Sequence, residues 1–428
     1  MHVRFVYARF HRHADAHPQL RVHVPCNEYF GPPSLGIAQM ASVTPPDWTL
    51  DFRDDRLEDV GLTDNVDLVA ISCFTPSAKR AMELADGFRA QGKQVVMGGI
   101  FPTMMPDEVA PHTDAIVVGE GEGVWGQVLE DAAKRQLKPR YTEVVPFDLE
   151  QLPLPRVDLY MDKEGGAFTP DDYPVQIARG CGFACDACVL PAVMGKKFRY
   201  LPLKHILGQI EQLAKRGKRA SFTEDTSFFL GAPQRKFSEV LDALQGSKAA
   251  ISYIGTSMPF LHMAPDILFE KMKGAGVGMF YLVGGFDPVT RGAFTGKDPK
   301  SYRKALESVK KALDHGIEPY TSFLVGNEDD DEGTFDRMLE FADKAGIRKA
   351  EFAIFTPYPG TPAWFRLESE GRILSRDWSL YNDANVVFRP KLMSPERLLE
   401  GYLYLWEEFY RPRQGLRELP VDQRTIQF

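Results

Sequence analysis

Three of the five cysteines, Cys181, Cys185 and Cys188, fall within eight positions in the stretch Arg179-Gly180-Cys181-Gly182-Phe183-Ala184-Cys185-Asp186-Ala187-Cys188. Thiolates at that density suit a soft metal or an iron-sulfur cluster. Three ligands leave one iron of a four-iron cluster without a protein partner, and an open iron is a place for chemistry. A structural zinc site would need a fourth Cys or His; the next histidine, His205, sits inside a helical pattern. The other two cysteines, Cys26 and Cys73, are far away in sequence. With no signal peptide ahead of the strand-like residues 3–7, a reducing, cytoplasmic setting is expected and a disulfide framework is not.

Two further constellations carry polar chemistry. Adjacent carboxylates, Glu224 and Asp225, end a short strand-like run that begins at Ser221. They read either as ligand-binding groups at a strand end, where barrel active sites lie, or as an acidic pair capping a helix. Gly98-Gly99 follows one apolar run and Gly119-Glu120-Gly121-Glu122 another. Glycines at the carboxyl ends of parallel strands let a ligand approach the backbone, at the edge where such sheets bind ligands.

These groups need rigid elements behind them. Apolar runs at 3–7, 50–53, 68–72, 94–97 and 115–118 alternate with amphipathic segments; in the clearest, 77–91, Ala81, Leu84, Ala85 and Phe88 share one face. That alternation predicts an α/β fold with a doubly wound parallel sheet over residues 1–138. The polar, proline-bearing stretch 139–165 reads as a linker. A strand at 175–178 leads into the cysteines. Helices at 203–216, 264–274 and 301–315 then alternate with strand candidates starting near 221 and 279 and at 320–325 and 352–355, which predicts a second parallel unit over 166–375. The last part, 376–428, is a short C-terminal extension with a helix at 395–410.

Composition narrows the partners. The formal net charge is −8, with no long Lys/Arg run, so the basic footprint that nucleic acid requires is missing. No uninterrupted apolar run reaches the roughly 18 residues of a spanning helix, and no membrane partner is expected.

The Cys-x3-Cys-x2-Cys spacing resembles the radical S-adenosylmethionine (SAM) superfamily, in which the open iron of a [4Fe-4S] cluster chelates the amino and carboxylate groups of SAM. The N-terminal third is similar to the cobalamin-binding domain that precedes many such barrels. Pro33-Ser34-Leu35-Gly36-Ile37, Ile71-Ser72 with Thr75, Gly98-Gly99-Ile100-Phe101-Pro102-Thr103, and Gly119 to Glu122 fall in the order seen there. The resemblance, to cobalamin-binding-domain-containing radical SAM enzymes of the class B methyltransferase type, covers nearly the whole chain. It implies a partial (β/α) barrel after the cobalamin-type sheet, and a cobalamin site made by Leu35, Gly36, Ser72, Thr75, Gly98, Gly99, Thr103, Gly119, Glu120 and Glu122. It implies SAM contacts from Phe183, Glu224, Asp225, Gly284, Gly285 and Asp287.

The chain departs from the family in four places. Ala187 stands where an aromatic residue commonly precedes the third cysteine, and Phe183 is the nearby substitute. Phe101 stands where many relatives have histidine, and Asp287 replaces the glutamate of a Gly-x-Glu-Ser strand end. Asp15-Ala16-His17 begins the loop that supplies an axial histidine in some cobalamin domains, but Leu20 occupies its glycine position, so axial ligation by His17 is not expected.

What the resemblance implies for activity is methylation of an unactivated carbon of a small-molecule or natural-product substrate. There a 5'-deoxyadenosyl radical abstracts hydrogen and methylcobalamin delivers the methyl group, with electrons from a reductant such as flavodoxin or ferredoxin. Two alternatives stay open: oxidative cyclisation or rearrangement like that of tetrapyrrole cyclases, with or without cobalamin, and a non-catalytic cobalamin or iron-sulfur carrier.

Overall fold

The computed structural model describes residues 1–22, 31–166, 168–183, 185–222, 232–246, 251–285 and 288–413. The first sheet contains six parallel strands: β1 (His2–Tyr7), β2 (Thr49–Asp54), β3 (Leu68–Ser72), β4 (Gln94–Gly98), β5 (Ala115–Val118) and β6 (Arg140–Thr142). Their order is β2-β1-β3-β4-β5-β6. The direction of winding therefore reverses between β1 and β3, and a crevice opens at the carboxyl ends of those strands. Helices cover both faces, so Val3, Phe5 and Val6 in β1 and the run Leu68 to Ile71 in β3 are all buried. A strand buried on both sides reads as a continuous apolar run.

The stretch assigned to a linker is built into this fold. Its residues 140–142 form the edge strand β6, pinned by the Tyr141 hydroxyl, which donates to Asp131 Oδ2 at 2.8 Å. Three residues are too few to show a periodicity. Further on, Tyr160 is fully buried; its hydroxyl donates to Ser34 O at 2.8 Å and accepts from Ala38 N at 2.9 Å. The segment thus packs against the helix Leu35–Ser42.

The second sheet is an open, partial barrel. Its strands are β7 (Asp172–Pro174), β10 (Arg219–Phe222), β11 (Ile251–Ser257), β12 (Met279–Gly284), β13 (Glu318–Val325) and β14 (Lys349–Ile354), paired in parallel in the order β14-β13-β12-β11-β10-β7. Between β7 and β10 a small antiparallel hairpin, β8 (Ala178–Arg179) with β9 (Arg199–Tyr200), brackets the cysteines. The strand expected at 175–178 is therefore displaced: pairing in the barrel covers residues 172–174, and the chain then leaves the sheet. Val175 makes one last backbone bond to β10, its N–H donating to Ser221 O at 2.8 Å, and Ala178 already belongs to the hairpin; a short apolar run reports burial and not which sheet it joins. In β12, Phe280, Leu282 and Gly284 are buried while Met279, Tyr281 and Val283 are half-buried, the period-two pattern of one face against helices and one face toward the barrel interior.

The C-terminal extension joins the two sheets. Trp364, Trp378 and Tyr381 form an aromatic cluster with centroid separations of 5.3 to 5.8 Å, and Phe101 of the first domain packs on Trp378 in a tilted pair at 5.5 Å. Phe101 is fully buried there. The helix Pro395–Tyr410 starts on a Ser394 cap that accepts from Arg397 N at 3.1 Å, and lays Trp406 and Phe409 on Phe352 of β14. Trp378→Ala should remove the centre of the aromatic cluster and lower stability by about 3–5 kcal/mol. Urea denaturation followed by circular dichroism would register this as a lower midpoint with an unchanged slope.

Candidate active site

A cavity of about 380 Å³ opens at the carboxyl edge of the first sheet. Every residue assigned from the sequence to the cobalamin site lines it except Thr75 and Thr103. Thr75 is buried in the turn Thr75–Ser77. Thr103 acts from behind: its hydroxyl donates to Gly99 O at 2.7 Å and accepts from Gly119 N at 2.9 Å, tying the two glycine turns together. Gly99 has φ +99°, and a Cβ there would stand 2.8 Å from Cys73 O, so this turn requires glycine. The deep wall is apolar, with Phe5, Ile37, Val96, Val117 and Trp125 among its residues.

The opposite wall comes from the barrel side. Leu190, Val193 and Met194, in and next to the short helix that follows Cys188, line the same cavity, as do Gln176 and Arg179. The sequence reading gave none of these five a role. Arg179 is the most consequential. Its Nη1 donates to Glu120 Oε2 at 2.9 Å, Nη2 to Glu122 Oε1 at 2.6 Å and Nε to Gln176 Oε1 at 3.0 Å. Arg199, directly across the hairpin from Arg179, pairs with the other oxygen of Glu120. Burial works to lower the Arg179 pKa, but Glu122 and then Glu120 hold it above its ordinary value.

A third carboxylate, Glu143, joins this group; oxygens of Glu120, Glu122 and Glu143 lie within 4.8 Å of one another. Glu143 Oε2 is buried with no hydrogen-bond partner among the described residues. Burial, then Glu122 and Glu120, push its carboxyl up to about 7. Two arginines balance two of the three carboxylates, and the third, Glu143, holds its proton well above the ordinary carboxylate range.

The cluster loop is held as tightly. Gly180 has φ +86°, and a Cβ there would overlap the Lys197 carbonyl, so only glycine lets the chain turn into Cys181. Cys181 N then donates to Gly195 O at 3.0 Å. Cys181 is buried, Cys185 exposed and Cys188 intermediate. The Cys188 thiol is raised by burial first, and then by Cys185 and Cys181, so the three sulfurs share one electrostatic environment. Asp186 anchors the loop to the helix Pro362–Ser369, accepting from Ala363 N at 2.9 Å and pairing with Arg366 at 3.3 Å. Phe183 presents an exposed ring on the loop, whereas Ala187 is buried.

Gly284 ends β12 and Gly285 follows it at φ +94°, its N–H donating to Thr290 Oγ1 at 2.8 Å. Glu224, Asp225 and Asp287 lie outside the described residues. His17 is tied to the C-terminal extension, with Nε2 2.7 Å from Ala384 O and its ring 5.9 Å from that of Tyr402.

Family comparisons match these parts in order: a B12 binding domain over residues 44–129, the radical SAM superfamily over 175–342, and a domain of unknown function (DUF4070) over 361–418. The chain is a cobalamin-binding radical SAM enzyme. The bacteriochlorophyllide d C-8(2)-methyltransferase of Chlorobaculum tepidum is 28% identical over 412 residues, spanning 89% of this chain and 88% of that protein. The hopanoid C-2 methylase of Rhodopseudomonas palustris is 23% identical over 403 residues, or 89% and 75% of the two chains. The structure of the radical SAM methyltransferase TsrM from Kitasatospora setae, with cobalamin and a [4Fe-4S] cluster bound, is similar in fold, with a TM-score of 0.63 at 14% identity over 94% of this chain and 85% of that one.

The cofactors of this radical SAM enzyme are SAM, a [4Fe-4S] cluster and cobalamin. The residues present suit them. Three soft donors on one loop fit a cluster with an open iron. A glycine-rimmed, apolar-walled cavity at a switch point fits a large flat ligand. Among the described residues no helix is long and apolar enough to cross a membrane.

Glu143 makes a measurable contribution of its own. Its folded pKa of about 7 lies above the ordinary 4.5, so between those values the unfolded chain has released a proton that the folded chain still holds. The folded state therefore loses stability as pH rises through that window, and the cost persists above it. Glu143→Gln should flatten the fall of melting temperature between about pH 4.5 and 7, measured by thermal scans across that range.

Proposed function

We propose that this enzyme methylates an unactivated carbon of a small-molecule or natural-product substrate. The observation that carries the reading is that one cavity has the glycine edge of the cobalamin-type sheet as one wall and, as the other, residues that directly follow the last cluster cysteine. Cobalamin supplies methyl transfer, and the cluster with SAM supplies a carbon-centred radical; the protein's part is positioning and sealing. The relatives named above, which act as methyltransferases on carbon skeletons of natural products, support the same reaction class.

The chain's own residues divide the work. Cys181, Cys185 and Cys188 would hold the [4Fe-4S] cluster, three thiolates being one fewer than its irons. Phe183, the exposed aromatic ring of the loop, offers a face for adenine, and Gly284 and Gly285 are assigned to SAM from their place at the end of β12. Glu224, Asp225 and Asp287 are assigned to SAM from their sequence positions. Leu35, Gly36, Ser72, Gly98, Gly99, Gly119, Glu120 and Glu122 contact cobalamin, with Thr75 and Thr103 supporting the turns. The apolar walls keep water out of the site and limit side reactions there. A flavodoxin or ferredoxin supplies the electron.

The test is anaerobic reconstitution with iron, sulfide and cobalamin, then incubation with SAM carrying a deuterated methyl group and candidate natural products. A product heavier by the labelled methyl group is expected. SAM cleavage with a ring-closed or rearranged product instead would assign the cyclase alternative. Replacing Cys181, Cys185 and Cys188 together by Ala should abolish iron binding, the visible absorbance of the cluster and SAM cleavage; retention of stoichiometric iron would remove the basis of the reading.

A further inference from the structure

We propose that Arg179 is a positioning residue that couples occupancy of the cobalamin cavity to the order of the cluster hairpin. The proposal rests on the reading that this cavity takes cobalamin. Its geometry has three parts. Arg179 is the last residue of β8, two positions before Cys181, and is directly paired with Arg199 of β9. The two strands form the base of the hairpin that holds the whole cluster loop. Both arginines reach Glu120, and Arg179 also takes Glu122.

Glu120 and Glu122 in turn line the cavity. They sit where β5 passes into the helix Glu122–Ala133, a junction set by Gly119, at φ +82°, and by the N-cap Gly121, where a Cβ would press on Met40 Sδ at 3.0 Å. The hydrogen bond from Gly119 N to Thr103 and the start of the helix hold the backbone of this junction, and the guanidinium groups fix its carboxylates. A ligand that settles against the rim therefore also settles the groups that grip the hairpin base.

The energetics point the same way. Side-chain exposures at these pairs are 7% for Arg179, 11% for Glu120 and 5% for Glu122. Buried ion pairs bring little net stability over an apolar contact of the same volume, while removing one partner leaves a stranded charge. What such a group can supply is a single register between two surfaces. Arginine suits that task and lysine does not, because a planar fork serves two carboxylates at once and an ammonium is one point charge.

The coupling is reciprocal in principle and is read most directly from the hairpin. The full-length chain carrying its cluster is followed by hydrogen–deuterium exchange with and without saturating hydroxocobalamin, under anaerobic conditions. In the unsubstituted protein, peptides over 98–122 and over 178–200 should both slow, the hairpin by at least roughly fivefold, the low end of coupling between linked sites. In Arg179→Gln the rim peptides should still slow while the hairpin response falls toward unity. Arg179→Lys keeps the charge and protects against loss of fold; it should resemble the glutamine variant in the hairpin and the unsubstituted protein in the rim.

A hairpin slowed by the same factor in Arg179→Lys as in the unsubstituted chain would overturn the proposal, as would an unsubstituted hairpin that ignores hydroxocobalamin while the rim responds. Absence of any rim response and of a bound-cobalamin absorbance spectrum would overturn the cavity reading itself, and this proposal with it.

Discussion

One buried guanidinium ties the cluster hairpin to the rim of the first sheet. Arg179 leaves the barrel side, enters the rim of the first sheet and satisfies two carboxylates there, with Arg199 completing the pairing of Glu120. Everything on the cluster loop is referred to that point. Gly180 turns the chain directly after it, Cys181 follows, and the loop returns through Lys197 to Arg199 beside its starting residue. The remote end of the loop has a separate tether, Asp186 on the helix Pro362–Ser369. A loop held at its base and at its far side can present three thiols to one cluster without a packed core of its own.

The apolar contacts do different work from the ionic ones. Phe101, Trp364, Trp378 and Tyr381 bring residues of the first sheet, the end of the barrel and the extension into one cluster, and burial of large aromatic surfaces contributes much of the adhesion. Such contacts tolerate sliding more readily than a forked ion pair. Adhesion is therefore carried by the apolar cluster, and register by the ion pairs at the cavity rim.

How much of this was legible in the sequence depended on the range of each interaction. The cysteine spacing and the glycines at strand ends are local patterns, and the cavity is indeed lined by Ser72, Gly98, Gly99 and Gly119. The helix at 395–410 has a serine cap, a proline at its first position and an amphipathic face, all local, and its bounds agree with the pattern. Arg179 was within the most informative stretch of the chain yet carried no sign of its role, because its partners lie 59 and 57 positions earlier. The strand β6 was hidden for want of length. The barrel strand before the cysteines was misplaced because the buried apolar run continues through Ile177 and Ala178 while barrel bonding ends at Val175, whose N–H donates to Ser221 O. Phe101, known from the sequence only as a departure from a family histidine, is explained by Trp378, a contact 277 residues away in numbering (378 − 101).

A second arginine crosses between the halves in the opposite direction. Arg12 follows β1 of the first sheet and places Nη2 3.6 Å from Glu351 Oε1 in β14 and 3.7 Å from Asp383 Oδ2 in the extension. Tyr281 and Ser322 each donate to Glu351 Oε1 at 2.7 Å, and Tyr358 donates to Asp383 Oδ1 at 2.8 Å. Asp383 adopts φ +62°, a strained value for a residue other than glycine, and its carbonyl accepts from Ile354 N at 2.7 Å, finishing the last barrel strand. Arg179 thus fastens the early side of the open barrel and Arg12 the late side. An open sheet can twist about a single attachment; two attachments on opposite edges, each made by a charge that is costly to strand, restrict that rotation. The distance between the thiol loop and the glycine rim is then a property of both crossings together, and the barrel's incomplete closure becomes compatible with a fixed spacing between its two cofactor sites.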